Sequence, residues 1–433
     1  MRLAIVTPMV DTSAVGRVMA AGAAELARRH DVELWCPSIP PRMRTTLPLR
    51  DFEDATPALA RELAELDLAV FAIGDSPWHA EILRLAQAVP SLIVLHDVSV
   101  ANLVTGLWTR EGRTHELGGE VDAWYGPEVA DEFMSALSTP GQAWLEVCSR
   151  APLVEAVLAG SLGVVVHSAW AAGRVEGMTL GEVTVAPLPI GVPAAATTVP
   201  EQLADVADDA VLIVTLGHVN ANRCLDALLD AVAADEVLRA RCHVAIVGEH
   251  STTMGHLLGS HAERVGLGDR VHLTGRIDDG ALAAILERAT ICVALRDPVL
   301  EAKSASLLTQ MRASNPVLVL DHAHYAELAD DCVVKVPLPG TADQIRAALR
   351  GVVDDPAAGA ARGARARTFV AEQHTASAYA DALAVAAGRA LETRPLVATV
   401  AALAGRLDRA GLAGQPAAER VLADTIGELF GDA

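Results

Sequence analysis

The sequence lacks the features that would suggest a nucleic-acid-binding or membrane protein. Lys and Arg number 34 against 55 Asp and Glu, which gives the 433-residue chain a formal net charge of −21. Nucleic acids and anionic lipid surfaces bind clustered Lys and Arg, so neither a nucleic acid nor a membrane is expected as a partner. Although 52% of the residues are hydrophobic, no apolar run reaches the roughly 18 residues that a membrane-spanning helix needs.

Cysteine pairs and targeting segments are also missing. None of the six cysteines forms a C-x-x-C pair, and several lie in apolar runs, where Cys acts as a small hydrophobe. The first residues enter a strand pattern at once, without the charged and apolar regions of a signal peptide. We therefore expect a cytoplasmic protein with reduced cysteines and no metal site.

Short runs rich in Val, Ile and Leu alternate with longer helical stretches, which is typical of right-handed βαβ units and parallel sheets. Four prolines between 187 and 200 interrupt the pattern and indicate a linker. The chain is therefore predicted to be an α/β protein of two doubly wound, Rossmann-like domains. Residues 98–160 are predicted as a helical insertion, and the segment after Gly388 as a helical appendix that could form a dimer contact. The predicted strands are Leu3–Thr7, Val32–Cys36, Leu68–Ile73, Leu92–Leu95, Gly163–Val166, Val183–Ala186, Val211–Leu216, His243–Val247, Val271–Leu273, Thr290–Leu295, Val317–Leu320 and Cys332–Val336.

Candidate site residues are sought in the loops after the strands, because open parallel sheets bind ligands at the carboxyl ends of their strands. The first such loop contains Ser13 and Gly16. A glycine before a helix lets an anion approach the helix N–H groups; the alternative is an ordinary turn. The fingerprint G-x-G-x-x-G is absent, which argues against a nicotinamide or flavin cofactor.

Three histidines lie just after predicted strands of the first half. His96, followed by Asp97, is predicted to point into a cleft as a hydrogen-bond donor or as a general acid or base. His167 is followed by Ser168, a good N-cap, which favours a structural role for this pair. For His79 the functional and the structural interpretation both stay open.

Two loops of the second half combine cations with the start of a helix. Arg223 ends the stretch Gly217-His-Val-Asn-Ala-Asn-Arg223, where a cation beside helix N–H groups suits a diphosphate; the alternative is a surface arginine. In the second loop, Glu301 could accept hydrogen bonds from ligand hydroxyls and Lys303 could neutralise phosphate charge. Ser304 N-caps a helix with small first residues, which leaves its N–H groups open. The alternative is a capped loop with solvated charges.

In their order and spacing, these motifs resemble the retaining group-1 (family 4) glycosyltransferases of the GT-B architecture. The similarity covers roughly residues 1–388 and is strongest over 211–337. The stretches that carry it are Gly217-His-Val-Asn-Ala-Asn-Arg223, Val247-Gly-Glu249, Val271-His-Leu-Thr-Gly275-Arg276, Glu301 to Pro316-Val-Leu-Val-Leu-Asp321, Ala326-Glu327-Leu328, Gly74-Asp-Ser-Pro-Trp-His79, Leu95-His-Asp97 and Val166-His-Ser168.

The resemblance implies two domains that face a cleft: an acceptor-side domain over 1–193 and a nucleotide-sugar-binding domain over 194–370. Helices over 371–433 would pack back on the first domain and end in the appendix. The implied reaction moves a sugar from a nucleoside-diphosphate donor to a soluble small-molecule, natural-product or glycan acceptor. It would proceed with retention of the anomeric configuration and without a metal ion or other cofactor.

The resemblance also implies roles for particular residues. Arg223 would contact the diphosphate, Glu301 the sugar hydroxyls, and His96 would lie near the reacting centre, so these three are the implied catalytic residues. The donor-binding set is Gly16, Gly217, His218, Arg223, Gly248, Arg276, Glu301, Lys303, Ser304, Ala305, Ser306 and Thr309, and the acceptor-side set is Ser13, His79, His96, Asp97 and His167.

The sequence departs from the family pattern at four positions. Thr309 stands where the family usually has a second glutamate that grasps the ribose, and a hydroxyl lacks that charge-assisted, two-pronged bond. Ala302 replaces a glycine, Lys303 is unusual in its loop, and His218 replaces an arginine. Two alternatives therefore remain: a binding protein of this fold without turnover, and a nucleotide-sugar epimerase, which shares the architecture.

Overall fold

The structure, a computed structural model, describes residues 1–40, 42–139, 141–412 and 415–430. Its two parallel sheets confirm the predicted pair of Rossmann-like α/β domains. Each predicted strand is present, with ends that agree within two residues. Such agreement is expected because strands covered by helices on both faces read as continuous apolar runs.

The first domain is built on a seven-stranded parallel sheet of order β3-β2-β1-β4-β5-β6-β7. Helices cover both faces, and α4 to α8 form the predicted helical insertion between β5 and β6. The strands are β1 (Arg2–Val6), β2 (Asp31–Pro37), β3 (Leu49–Phe52), β4 (Leu68–Ile73), β5 (Leu92–Leu95), β6 (Gly163–Val166) and β7 (Val183–Val185), and the helices are α1 (Ala14–Leu26), α2 (Pro57–Ala64), α3 (Ala80–Ala88), α4 (Ala101–Arg110), α5 (Thr114–Tyr125), α6 (Pro127–Ala136), α7 (Gln142–Arg150), α8 (Glu155–Leu158) and α9 (Ala169–Val175).

The second sheet has six parallel strands in the order β10-β9-β8-β11-β12-β13. Its strands are β8 (Val211–Leu216), β9 (Cys242–Val247), β10 (Val271–Gly275), β11 (Ile291–Ala294), β12 (Val317–Leu320) and β13 (Val334–Val336), and the helices from here to the end of the described chain are α10 (Leu225–Ala233), α11 (Glu236–Arg241), α12 (Thr252–Arg264), α13 (Asp279–Arg288), α14 (Ala305–Arg312), α15 (Ala323–Ala326), α16 (Ala342–Asp354), α17 (Pro356–Gln373), α18 (Ala376–Arg409) and α19 (Pro416–Phe430).

The edge strand β3 is missing from the prediction. Three of its four residues are exposed and only Phe52 is buried, so neither an apolar run nor an alternation marks it. It forms nevertheless because its backbone pairs in parallel with β2.

The C-terminal helices return to the first domain. The ring of Tyr379 on α18 packs over Gly22 on α1, where a Cβ would lie 2.4 Å from it. The Tyr379 hydroxyl also contacts Sδ of Met19 at 3.1 Å. Over the residues that the structure covers, no helix combines the length and the apolarity that crossing a membrane requires.

Candidate functional site

The two domains meet where the carboxyl ends of β5 and β11 face each other. The main-chain N–H of Val98 donates to the carbonyl of Leu300, and that of Ala302 donates to the carbonyl of His96, both at 2.8 Å. These bonds place Asp97 opposite Glu301 in a short antiparallel pairing. The sequence predicts an open gap here; instead, the backbones of the two loops are joined, because each loop offers edge N–H and C=O groups to the other.

Glu301 lies among cationic and hydrogen-bond-donating groups of the second domain. Its Oε1 is 3.5 Å from Nε of Arg296 and accepts a hydrogen bond of 3.1 Å from the hydroxyl of Tyr325. Burial alone would raise the pKa of Glu301, but the charge of Arg296 outweighs it and holds this pKa well below its usual range. Glu301 is therefore an ionised acceptor at neutral pH.

The side chain of Arg223 packs against Gly217, in the loop that follows β8. A Cβ on Gly217, whose φ is +116°, would lie 2.2 Å from Nη2 of Arg223 and 3.5 Å from Cβ of Ser306. The guanidinium donates 2.6 Å bonds to the carbonyls of Leu216 and His218. Burial, then the charge of Arg296, lowers the pKa of Arg223 to about 9. Arg223 and Ser306 thus both lie next to Gly217, and the cation faces carbonyls of its own loop.

Ser304 lies at the start of α14. Oγ of Ser304 accepts the N–H of Leu307 at 3.3 Å, as expected for an N-cap, and it lies 3.1 Å from Oγ of Ser306. Ser304 is only 4% exposed. The hydroxyl of Thr309 donates to the carbonyl of Ala305 at 2.9 Å. The predicted N-cap is therefore present, and the small residues beside it, Ala305 and Ser306, are half-buried.

His96 and His167 form a hydrogen-bonded pair on the opposite side. Nδ1 of His167 lies 3.1 Å from the carbonyl of Ala186, and its Nε2 lies 3.1 Å from Nδ1 of His96. A carbonyl only accepts, so we assign the proton of His167 to Nδ1; its Nε2 then accepts from Nδ1–H of His96. The remaining Nε2 of His96 carries a lone pair and has no partner within the described ranges.

Both members of this histidine pair are neutral at pH 7. Burial, followed by the neighbouring histidines, lowers the pKa of His96 well below its usual value. Burial likewise lowers the pKa of His167 to about 4. His96 therefore presents a buried, unprotonated nitrogen that could accept a hydrogen bond.

Two buried carboxyl groups adjoin the pair. Oδ2 of Asp97 accepts the main-chain N–H of Asp75 at 2.7 Å, and Oδ2 of Asp75 accepts the side-chain amide of Asn102 at 2.6 Å. Burial raises the pKa of Asp97 to about 7 and that of Asp75 to about 6. The sequence leaves both a functional and a structural role open for His79. In the structure its Nδ1 forms a hydrogen bond with the carbonyl of Ala72 at 2.9 Å.

Other predicted donor residues use their polar atoms locally or are exposed. The N–H of Gly16 donates to Oγ of Ser13 at 3.0 Å, so it serves the cap of α1, and a Cβ there would lie 2.1 Å from the carbonyl oxygen of Pro8. The N–H of Gly248 donates to the carbonyl of Gly275 at 3.0 Å. The side chains of His218 and Arg276 are exposed.

Arg296, His324 and Tyr325 belong to the site but are absent from the predicted set. Arg296 follows β11, and the pair 324–325 follows β12, so all three come after carboxyl strand ends. The other site residues were predicted because they follow the carboxyl ends of strands, and the same criterion could have found these three. In the described part of the chain, no three His, Cys, Asp or Glu side chains are grouped so as to hold a metal ion.

Comparisons with known proteins fit this geometry. Residues 210–355 match the family model described as "Glycosyl transferases group 1"; no curated protein matches the sequence. Among solved structures, WaaG, a glycosyltransferase involved in lipopolysaccharide biosynthesis, is 17% identical with a TM-score of 0.59, over 89% of this chain and 99% of that one.

Two further structures show the same likeness. HepE of Anabaena, solved with UDP and glucose, is 12% identical with a TM-score of 0.60, over 89% of this chain and 98% of that one. Sucrose-phosphate synthase of Thermosynechococcus elongatus is 16% identical with a TM-score of 0.57, over the same shares. At these identities the likeness shows the fold, which is GT-B, and the family match lies in its second domain.

Proposed function

We propose that this chain is a retaining glycosyltransferase that moves a sugar from a nucleoside-diphosphate donor to a soluble acceptor without a metal ion. The observation that carries the proposal is the backbone pairing between the loops at 96–98 and 300–302. It brings the loop of His96, whose Nε2 is free to accept a hydrogen bond, against the loop of Glu301, an ionised acceptor of sugar hydroxyls. The family match over 210–355 and the UDP bound to HepE support the donor class.

The charges of the second domain suit the departure of a nucleoside diphosphate. Negative charge grows on the leaving phosphate, and a buried guanidinium stabilises it more strongly than one in water would. Arg223 and Ser306, at the start of α14, both adjoin Gly217, so a rotation of the Arg223 side chain away from the carbonyls of its loop would present both groups to one phosphate. Retention requires the acceptor hydroxyl to attack on the face from which the diphosphate departs, so the leaving phosphate would take up the hydroxyl proton, and Nε2 of His96 would accept a hydrogen bond that orients a ligand hydroxyl.

Binding without turnover is a second candidate, favoured by the packing of the donor side. Arg223 and Ser304 are each 4% exposed, and the hydroxyl of Thr309 is bonded within α14. A donor can enter only if these loops rearrange. A protein that has lost catalysis would bind nucleotide there and release no transfer product.

The deciding experiment combines binding with product analysis. The purified chain is titrated with UDP, GDP, ADP and dTDP and with their sugars while its melting temperature is recorded. Binding to the folded state stabilises it by about 2.7 kcal/mol at a hundredfold excess over Kd. Donors that bind are then incubated with a pool of sugar and natural-product acceptors, and the anomeric configuration of each product is read by NMR.

Each outcome of this experiment separates the candidates. A transferred sugar with the donor's configuration supports the proposal, and an inverted product contradicts retention. Binding without product favours the second candidate. Interconversion of donors in the absence of acceptor would instead indicate an epimerase. No stabilisation by any nucleotide would overturn the proposal.

A further inference from the structure

Lys303 is a buried cation whose charge is poorly matched by its surroundings. It is one of only two lysines in the chain. Its side chain is 6% exposed, and its Nζ lies 3.8 Å from Oε2 of Glu327. The other lysine, Lys335, is better satisfied, with Asp330 at 2.9 Å and Asp321 at 3.5 Å. Removing an ammonium from water is costly unless its donors are paired, so Lys303 has capacity for another anion.

Glu327, the carboxylate beside Lys303, already has another partner. Its Oε1 accepts the main-chain N–H of Trp170 at 2.5 Å, across the two domains. Glu301 is not available either, because Arg296 balances its charge. At 3.8 Å the contact between Lys303 and Glu327 is longer than a hydrogen bond, so N–H groups of the ammonium remain for a ligand.

His324 is a second buried polar group at the site. It is fully buried, and neither of its ring nitrogens has a hydrogen-bond partner among the residues described. Its Nε2 is 3.9 Å from Oε1 of Glu301, beyond hydrogen-bonding distance. The ring is held between Tyr325, stacked at 4.0 Å, and the edge of Trp170 at 6.1 Å. A fixed donor without an acceptor is a costly arrangement unless a ligand completes it.

Trp170 of the first domain joins the surroundings of the two groups. Its main-chain N–H binds Glu327, the carboxylate 3.8 Å from Nζ of Lys303. The edge of its ring faces His324 at 6.1 Å. Lys303 and His324 thus both lie close to Trp170.

We propose that Lys303 and His324 form a subsite for a small anionic group, a carboxylate or a phosphate, carried by the transferred sugar or by the acceptor. The proposal rests on the proposed function for the identity of the ligands, but not for the existence of the subsite. It makes Lys303 a specificity-determining residue, distinct from the arginine that would hold the diphosphate. Neutral sugars would leave the ammonium and the imidazole unpaired, which is a strong basis for discrimination.

The test compares matched neutral and anionic probes on three proteins. The probes are glucose against glucuronate, glucose against glucose 6-phosphate, and UDP-glucose against UDP-glucuronate, with Kd measured by calorimetry. The proteins are the wild type, Lys303→Met and the matched control Lys335→Met. The wild type and the control should bind the anionic member of at least one pair about tenfold more tightly, as expected for one charge-assisted contact. Lys303→Met should bind both members alike.

The three probe pairs show which ligand carries the anionic group, and they distinguish failure of the subsite from failure of the proposed function. Preference for UDP-glucuronate places the anion on the donor sugar, and preference for a free anionic sugar places it on the acceptor. If UDP compounds fail to bind but Lys303 still discriminates free sugars, the proposed function fails and the subsite stands. Absence of any preference in the wild type, or a preference that survives in Lys303→Met, overturns the subsite. Lys303→Arg, which keeps the charge, replaces the Met variant if the latter does not fold, and it should retain the preference.

Discussion

The two sides of the domain joint carry different kinds of polar chemistry. On the second domain, Arg296 and Glu301 are largely buried together, and each keeps the other ionised. On the first domain, His96 and His167 are buried without a carboxylate partner and are neutral. Burial therefore fixes charge where opposite charges meet and removes it where they do not. One side can stabilise a charged leaving group, and the other can accept a hydrogen bond from a neutral ligand group.

The largest effect is expected from removing the fixed charge on the second domain. Glu301→Gln leaves Arg296 largely buried without its counter-charge, and breaking such a pair costs about 3–5 kcal/mol. We expect a clearly lower melting temperature and loss of sugar transfer. Glu176→Gln, at an exposed carboxylate, is the matched control and should change neither. A Glu301→Gln protein that melts like the wild type would show that this pair does not hold the joint.

The second-largest effect is expected from a substitution in the neutral histidine pair of the first domain. His96→Asn can still donate an N–H to His167, but its shorter side chain cannot place an acceptor where Nε2 of His96 lies. Transfer should fall by about 10²-fold, as expected when a reacting group is misplaced by about 1 Å, while the melting temperature changes little. His256→Asn, at an exposed histidine, serves as the control. Unchanged turnover in His96→Asn would assign the pair a structural role only.

The third effect is a pH dependence of stability. His79, His167 and His374 have folded pKa values of about 4 against 6.5 for a free histidine. The unfolded chain therefore binds more protons between these values, and the free energy of unfolding falls as the pH drops from about 6.5 to 4. Asp75 and Asp97 act in the opposite direction, because their pKa values rise from 3.8 to about 6 and about 7. The histidines outnumber them, so acid should destabilise the protein.

Asp97→Asn separates the two contributions. Without its proton uptake in the folded state, the loss of stability on acidification between pH 7 and 4 should become steeper, by about 1.4 kcal/mol per pH unit. Denaturant titrations at five pH values would measure both slopes. Parallel curves would mean that Asp97 titrates alike in the folded and unfolded chain.

The sequence predicts the strands and the loops that carry the site residues better than it predicts how the two domains join. Parallel strands such as β4 and β12 are apolar throughout, so the pattern alone places them and the loops that follow. Glu301, Ser304 and His96 were selected from that position. The bond from the N–H of Ala302 to the carbonyl of His96 joins loops about 200 residues apart. Nearly every residue type has the same main-chain N–H and C=O groups, so the sequence does not indicate which of them pair. Tyr325 was missed because an aromatic residue after a strand also suits a core.

The smallest effect is expected from a substitution that adds a charge to the second domain. Thr309→Glu restores the carboxylate that the resembled family places against the ribose, and it replaces a hydroxyl now bonded to the carbonyl of Ala305. A charge-assisted bond is roughly twice as strong as a neutral one, so UDP should bind several-fold more tightly, about 1 kcal/mol, by calorimetry. Thr309→Gln has the same length without the charge and should gain less. Because the gain requires ribose hydroxyls, it should vanish with 2′,3′-dideoxy-UDP; an equal gain with that nucleotide would mean that the new carboxylate acts on the loop and not on the ligand.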